Sequence, residues 1–149
     1  MVVGTRAHEL ALCAVYDSPL RCLCDLPRVY RDKPGLEFLR ALPAAWDDTI
    51  ALDGQIGEYY VVARRSGDDW RVSAITNEQA REIEIDRAFL GNEGVYDVTV
   101  YADSADSDKD ANAIEIFQTT VDLASPELPQ TFKVRLARDG GWNAVLRKR

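Results

Sequence analysis

From about Asp53 onward, apolar and polar residues alternate along the sequence with a period of two. In EIEID, residues 82–86, Ile83 and Ile85 would lie on one face of a strand and the carboxylates on the other. Turn-forming runs such as SGDD, GNEG and RDGG separate the alternating stretches. About seven or eight short strands at roughly 10-residue spacing are typical of an antiparallel β-sandwich. The sequence therefore predicts a mainly β fold.

Helical signals precede this region. Thr5 can cap a helix that carries Glu9 in its first turn. The run LALCAVY that follows, residues 10–16, is apolar on every side, so it has to be covered from several directions. We expect it to pack on the sandwich, on another copy of the chain, or on a further domain.

Two more helices are predicted before the strands begin. Asp17-Ser18-Pro19 would end the first helix and start another, with Leu20, Leu23 and Cys24 at helical spacing. A short helix is also expected over residues 35–42, ending before Pro43. We therefore divide the chain into a helical segment with a connector, residues 1–52, and a β-sandwich, residues 53–149.

Composition excludes several classes of protein. A net charge of −7 argues against a nucleic-acid partner, which would require clustered Lys and Arg side chains. No apolar run reaches the roughly 18 residues needed to span a bilayer, so no membrane association is expected, and no signal-peptide pattern is present. The three cysteines and the single histidine form no metal-ligand pattern, and we interpret the cysteines as small buried hydrophobes.

Four stretches resemble one enzyme family. They are GTRAH at residues 4–8, DSPL at 17–20, LPAAWD at 42–47, and GEYYVVARRSGDDW at 57–70. Together they resemble the C-terminal end of glycoside hydrolase family 97, a family of bacterial α-glucosidases and α-galactosidases. The resemblance extends over nearly the whole chain.

The resemblance implies that this chain is part of a larger protein in which another domain carries out the catalysis. Residues 1–52 would be the last helical segment of a (β/α)8 barrel with its connector, and residues 53–149 the C-terminal β-sandwich associated with oligomerisation. The family's catalytic carboxylates and its calcium ion would lie upstream, so we expect no catalytic, cofactor-binding or metal residue in this chain. The expected partners are the barrel or another copy of the chain, and the expected role is a non-catalytic structural module. Family members are often periplasmic or secreted, but the location of this chain is unknown.

Several acidic residues could still carry chemistry. Glycosidic cleavage uses two carboxyl groups across one bond, and the candidates are Asp47, Asp48, Glu82, Glu84 and Asp86. Strand alternation instead favours surface positions for the last three. No cleft is predicted to bring the five together.

The acidic stretch from Asp103 to Asn112 invites comparison with a calcium loop, because Asp106, Asp108 and Asp110 fall at alternate positions. Ala111 stands where the sharp turn needs glycine, and Phe117 where the bidentate glutamate should be. A solvated turn is the favoured interpretation, and weak calcium binding remains an alternative.

Two further groups allow a binding interpretation. Thr5, Arg6 and His8 could contact a sugar, or they could cap and pack the first helix. Trp46, Trp70 and Trp142 could form a sugar-stacking platform, which would make the chain a small carbohydrate-binding or partner-binding module with an α-linked oligosaccharide as its ligand. The favoured interpretation buries these tryptophans.

The hairpin tip at residues 64–69 carries two arginines and two aspartates. We expect Arg64 or Arg65 to make an exposed ion pair with Asp68 or Asp69.

Overall fold

The computed structural model describes residues 4–23 and 26–149. In this part of the chain, three helices precede eight strands, as the sequence predicted for a mainly β fold. The elements are α1 (Arg6–Val15), α2 (Pro27–Tyr30), α3 (Leu36–Arg40), β1 (Asp48–Gln55), β2 (Tyr59–Ser66), β3 (Asp69–Thr76), β4 (Arg81–Asp86), a 3-10 turn (Ala88–Leu90), β5 (Val95–Asp103), β6 (Ile114–Asp122), β7 (Thr131–Leu136) and β8 (Gly141–Lys148).

The strands form two antiparallel sheets of unequal size. The large sheet has the order β1-β2-β3-β8-β5-β6, and the small sheet pairs β4 with β7. The main core lies between them, because inward-facing residues of β2, β3, β5 and β8 pack against Ile83, Ile85, Val134 and Leu136 of the small sheet. The alternation in EIEID is therefore explained, since its two isoleucines are buried and its carboxylates are exposed.

Helix α1 covers the opposite face of the large sheet, where it packs chiefly on β3 and β8. Ala7, Leu10, Ala11 and Ala14 are buried there. A second core contains Leu10 and Ala14 with Phe38, Tyr101 and Val145. Of the three partners considered for the apolar helix, the sandwich itself is the one that it contacts. This contact also explains why residues 61–64 of β2 are buried on both faces.

The hairpin between β2 and β3 has the predicted turn. Arg65 pairs with Trp70 and Ser66 with Asp69, and Gly67 adopts a φ of 62°, which the left-handed turn position requires. In contrast, the start of the strand region differs from expectation. Strand β1 begins at Asp48, so the boundary placed between residues 52 and 53 falls inside a strand. The sequence signal is weak because only Ile50 and Leu52 of this strand pack against the core.

The helix predicted to restart at Ser18 is wrong. Residues 18–23 form no helix, and the Ser18 hydroxyl donates to the carbonyl of Leu20 at 2.9 Å instead of capping one. A helix begins later, with Pro27 in its first turn, because proline suits a position whose amide would be unpaired anyway. Cys24 lies outside the described residues. Cys22 is exposed and Cys13 half-buried, so the prediction of buried cysteines is wrong for Cys22.

Across residues 4–23 and 26–149, no helix is both long and apolar enough to cross a membrane.

Candidate functional site

The N-terminus of α1 is fastened to the strands by a buried hydroxyl–carboxylate contact. The Thr5 hydroxyl accepts a hydrogen bond from the His8 amide at 3.1 Å and donates one to Asp103 at 2.5 Å. The other oxygen of Asp103 accepts from the amides of Ala137 and Gly141, each at 2.8 Å. We call these residues, together with His8 and Gly140, the Thr5 junction. It joins the helix start to the end of β5 and the β7–β8 turn.

Two glycines make this close approach possible. A Cβ atom on Gly141 would lie 2.5 Å from the Cα atom of His8, and one on Gly140 would collide with the Asp103 carboxylate. The imidazole Nδ1 of His8 lies 3.0 Å from the Gly140 carbonyl oxygen. Gly141 is therefore required by the packing of α1 on the turn, and Gly140 by the approach of Asp103 to the same turn.

The electrostatics of the Thr5 junction are dominated by burial. Asp103 is 6% exposed, and its desolvation raises the pKa of its carboxyl group although three hydrogen bonds oppose the shift. Asp103 was predicted to open a solvated loop, and the structure instead buries it at the end of β5.

The residues of the GTRAH motif thus cap and pack the helix. Arg6 extends the same attachment, because its guanidinium donates to the Asn112 side chain at 2.7 Å and its amide to the Ala111 carbonyl at 2.7 Å. Of the two interpretations of Thr5, Arg6 and His8, these contacts favour the structural one.

A second polar cluster surrounds Trp46 on the helix-covered face of the sheet. Three guanidinium carbons lie over its ring, those of Arg21 and Arg71 at 5.6 Å and that of Arg64 at 5.7 Å from the ring centroid. Arg64 and Arg71 are cross-strand neighbours on β2 and β3 and are 3% and 6% exposed. We call these four residues the Trp46 cluster.

The arginines of the Trp46 cluster bind backbone carbonyls of the preceding segment. Arg21 donates to Cys13 and Pro43 at 2.8 and 2.6 Å, and Arg71 donates to Ala41 at 2.6 Å. Arg64 donates to Val15 at 3.0 Å. The cluster therefore holds the end of α1 and the connector before β1 on the sheet.

Positive charge in the Trp46 cluster exceeds negative charge. Among the described residues, its one ion pair joins Arg64 to Asp17 at 3.1 Å, and the Asp17 side chain is 88% exposed. Buried nitrogens of all four residues lack a hydrogen-bond partner within the described ranges, namely Arg21 Nη2, Trp46 Nε1, Arg64 Nε, and Arg71 Nε and Nη1. Burial, together with the neighbouring Arg147 and Arg21, lowers the pKa of Arg71. The electron-rich face of the indole ring, which lies beside three guanidinium groups, offsets part of this charge.

The expected ion pair at the hairpin tip is wrong for Arg64, which lies under the helical segment and pairs with Asp17. Arg65 stays near the tip, where it donates to the Gly67 carbonyl at 3.1 Å and lies over Trp70 at 5.9 Å. The position of Arg64 on a strand buried on both faces was the sequence signal for an internal arginine.

The three tryptophans do not share a surface. Trp70 is buried in the main core, with its ring edge-to-face against Phe89 at 5.0 Å, and Trp142 packs against the same core. Trp46 lies on the other face of the large sheet. The structure therefore does not bring them together as a sugar-stacking platform.

The candidate acids are dispersed. Glu84 lies 3.7 Å from Lys133, Asp86 accepts from the Gln130 side chain at 2.6 Å, and Glu82 is exposed on the same strand. Asp47 accepts from the Gly67 amide at 2.7 Å, and Asp48 accepts from the Thr49 amide at the start of β1. Asp47 therefore supports the hairpin turn, and Glu84 pairs across the two strands of the small sheet.

The aspartates of the acidic loop already make ion pairs and hydrogen bonds with other residues of the chain. Asp108 makes a 2.6 Å ion pair with Arg135, Asp110 accepts from the Asn112 amide at 2.9 Å, and Asp106 lies 4.0 Å from Lys109. In the described part of the chain, no group of three or more His, Cys, Asp or Glu residues is arranged to hold a metal ion.

An open groove of about 780 Å³ follows the β1–β2 hairpin. The Tyr59 hydroxyl donates to Asp53 at 3.0 Å, and this hydrogen bond raises the pKa of the tyrosine. Arg81 lies over the Tyr59 ring at 5.4 Å and makes a 2.8 Å ion pair with Glu58. Both carboxylates of the groove thus already have partners.

The fold of this chain is also present in solved structures of larger enzymes. A glycoside hydrolase family 97 enzyme from Pseudoalteromonas sp. strain K8, solved with acarbose, superposes with a TM-score of 0.88 and 32% identity over 98% of this chain and 23% of that one. A β-arabinopyranosidase has the same fold, with a TM-score of 0.76 at 22% identity over 95% of this chain and 21% of its own.

Sequence comparison points to the same family. A retaining α-galactosidase from Bacteroides thetaiotaomicron is 44% identical over 108 residues, which are 72% of this chain and 16% of the relative. A probable retaining α-galactosidase from Streptomyces bingchenggensis is 39% identical over 80 residues, 53% of this chain and 13% of the relative. The family model of the glycosyl-hydrolase 97 C-terminal, oligomerisation domain matches residues 45–147. With most of its length matched in this way, the chain belongs to the C-terminal domain family of the family 97 glycoside hydrolases.

Proposed function

We propose that this chain is the non-catalytic structural and oligomerisation module of an α-glycoside hydrolase, and that the complete enzyme is a retaining α-galactosidase. The chain spans 16% and 13% of the lengths of the two curated relatives, and both carry that activity in their names. The sequence left open whether the complete enzyme hydrolyses galactosides or glucosides, and the names of these two relatives favour galactosides.

The observation that carries the structural role is where the buried polar groups are directed. The Thr5 junction and the Trp46 cluster use their hydroxyl, carboxylate and guanidinium groups to hold α1 and the connector before β1 on the large sheet. Glycosidic cleavage requires two carboxyl groups roughly 5 to 10 Å apart on either side of one bond. Of the acids considered for that task, Asp86 is engaged with Gln130, Glu84 with Lys133 and Asp47 with the Gly67 amide.

The segment after α1 offers a surface for a neighbouring domain. Tyr16, Leu20 and Leu23 are 64%, 76% and 47% exposed, which is a dense set of apolar side chains for eight residues. We assign this surface to the (β/α)8 domain of the same enzyme, with the calcium ion and the catalytic carboxylates in that domain and no cofactor in this one. The buried face of α1 already packs on the sandwich, so the surface left for a further domain is the exposed one that follows the helix.

Hydrolysis assays test the non-catalytic role. The purified chain is incubated with an aryl α-galactoside and an aryl α-glucoside, alongside the complete enzyme. We expect the complete enzyme to cleave the galactoside and the isolated chain to release no more chromophore than the blank. Turnover by the chain alone would contradict the proposal.

Sugar titration tests the alternative of a carbohydrate-binding module. Trp46 is only partly buried, so its fluorescence would report a ligand on that face of the sheet. We expect α-linked oligosaccharides to cause no saturable change. Saturable quenching would favour the binding module.

A further inference from the structure

The two free edges of the large sheet differ in how they are protected. Strand β1 forms one edge and β6 the other. The pairing of β1 with β2 is interrupted by a register shift between Ala51 and Asp53, and Gly54 follows directly. Bulges and charges are among the devices by which proteins prevent edge strands from pairing with other chains, and glycine weakens a strand. Strand β1 has a bulge, a glycine and the charges of Asp48 and Asp53.

Strand β6 has little of this protection, since its only charged side chains are Glu115 and Asp122 near its two ends. It pairs with β5 over nine residues without a register shift, and its sequence IEIFQTTVD contains no proline, glycine or lysine. Six consecutive residues, 115–120, are exposed. Ile116 and Phe117, which point to opposite faces, are 43% and 45% exposed. A long, regular edge with exposed apolar side chains is a template for pairing with a further strand.

We propose that β6 pairs antiparallel with β6 of a second copy of this chain, so that two six-stranded sheets join across a twofold axis. This inference rests on the oligomerisation role proposed above and names its surface. Twofold pairing brings the same strand to both sides of the interface, which a closed dimer requires. The backbone groups on the outer edge of β6 would then find partners.

Pairing along the whole length of β6 defines one register. Full-length pairing places Gln118 opposite itself on the axis, Phe117 opposite Thr119, Glu115 opposite Val121, and Ile114 opposite Asp122. No like charges are then opposed. A twofold antiparallel pair places one residue opposite itself, so the nearest alternative registers are shifted by two residues and leave residues at one end of β6 without a β6 partner.

The central glutamine allows a charge-swap experiment. In the proposed register, Gln118→Lys places two ammonium groups opposite each other, and Gln118→Glu places two carboxylates there. Association of the wild-type chain is measured by sedimentation velocity between about 1 µM and 1 mM, the range of weak to moderate affinities. We expect each variant alone to raise the dissociation constant by about tenfold or more, and an equimolar mixture of the two to restore association as a heterodimer.

Two controls separate this surface from others. Thr49→Lys adds the same charge to the opposite edge strand, and Leu20→Ser removes the most exposed leucine of the segment after α1. We expect both to associate like the wild type, and circular dichroism establishes that every variant is folded.

The outcomes distinguish the two proposals. Wild-type association that neither Gln118 variant weakens, or that Leu20→Ser abolishes, would overturn pairing through β6 and leave the oligomerisation role in place. A wild-type chain that stays monomeric throughout the range would overturn both.

Discussion

The Thr5 hydroxyl donates a hydrogen bond to the carboxylate of Asp103, 98 positions later in the sequence, at a distance of 2.5 Å. Both residues are buried, at 2% and 6% exposure. The same hydroxyl caps the N-terminus of α1, so one side chain both begins the helix and attaches it to the sheet. A buried carboxylate with three donors is stable only while all of them remain, since an unpaired buried acceptor is costly.

Thr5→Val tests this attachment, because valine has nearly the same shape and lacks the hydroxyl. We expect the free energy of unfolding to fall by about 2 to 4 kcal/mol, from loss of the helix cap and from an unpaired Asp103 oxygen. Thr5→Ser keeps the hydroxyl and should remain within about 1 kcal/mol of wild type. Chemical denaturation measures both, and equal losses in the two variants would show that the hydroxyl is not the stabilising group.

Asp103→Asn tests the effect of burial on the carboxyl group. Because the folded-state pKa is raised above the unfolded value of about 3.9, the native chain holds this proton more tightly than the unfolded chain does. The contribution of Asp103 to the free energy of unfolding therefore falls as pH rises from the unfolded pKa through the folded pKa, and then levels off. Relative to the asparagine variant, wild type should lose stability over that interval.

Asp97→Asn is the matched control, because hydrogen bonding from Arg149 lowers the pKa of Asp97. Here the folded-state pKa lies below the unfolded value, so wild type should lose stability relative to the variant as pH falls through that interval. Urea denaturation at a series of pH values gives both differences. A pH-independent difference for Asp103→Asn would contradict the raised pKa.

Local sequence patterns were sufficient for much of the fold. The cap at Thr5, the hairpin at Gly67 and the alternation of Ile83 and Ile85 each depend on neighbouring residues, and the structure contains all three. Strand β1 was not predicted because most of its residues are exposed on both faces. Only two of its apolar residues pack against the core, and this is too few to give a clear alternating pattern. The helix expected after Pro19 was wrong because apolar spacing alone does not provide a surface to pack on.

The two polar clusters could not be derived from local patterns. Asp103 stands at the head of an acidic loop and looks solvated until α1 is placed over it. Arg64 and Arg71 become neighbours only through strand pairing, and Trp46 reaches them from the connector. Each cluster depends on contacts between segments that are distant in the sequence.

Gly141→Ala tests how closely α1 approaches the β7–β8 turn. The added methyl group would meet the backbone of His8 at 2.5 Å, and backbone cannot move aside as a flexible side chain can. We expect a loss of about 3 kcal/mol or more, at the upper end of overpacking effects.

Gly67→Ala is the control for glycine replacement as such. It has open space around it and a φ of 62°, so only left-handed strain of about 1 to 2 kcal/mol should appear. Thermal and chemical denaturation compare the two variants. A smaller loss at Gly141 than at Gly67 would mean that the helix moves away from the turn without cost.

Trp46→Leu tests the role of the indole ring among three guanidinium groups. Removing the ring deletes buried apolar surface and leaves Arg21, Arg64 and Arg71 with less to offset their mutual repulsion, so we expect a loss of about 2 to 4 kcal/mol. Because Arg21 is partly exposed and the smaller leucine would admit water to the two buried arginines, salt should screen part of the repulsion and recover a small part of that loss between about 0.05 and 0.5 M NaCl. Trp142→Leu is the matched control, since Trp142 packs against apolar residues of the main core and the described residues place no guanidinium over its ring. It should lose comparable stability with the salt dependence of wild type. Identical salt dependence in the two variants would show that Trp46 contributes through packing alone.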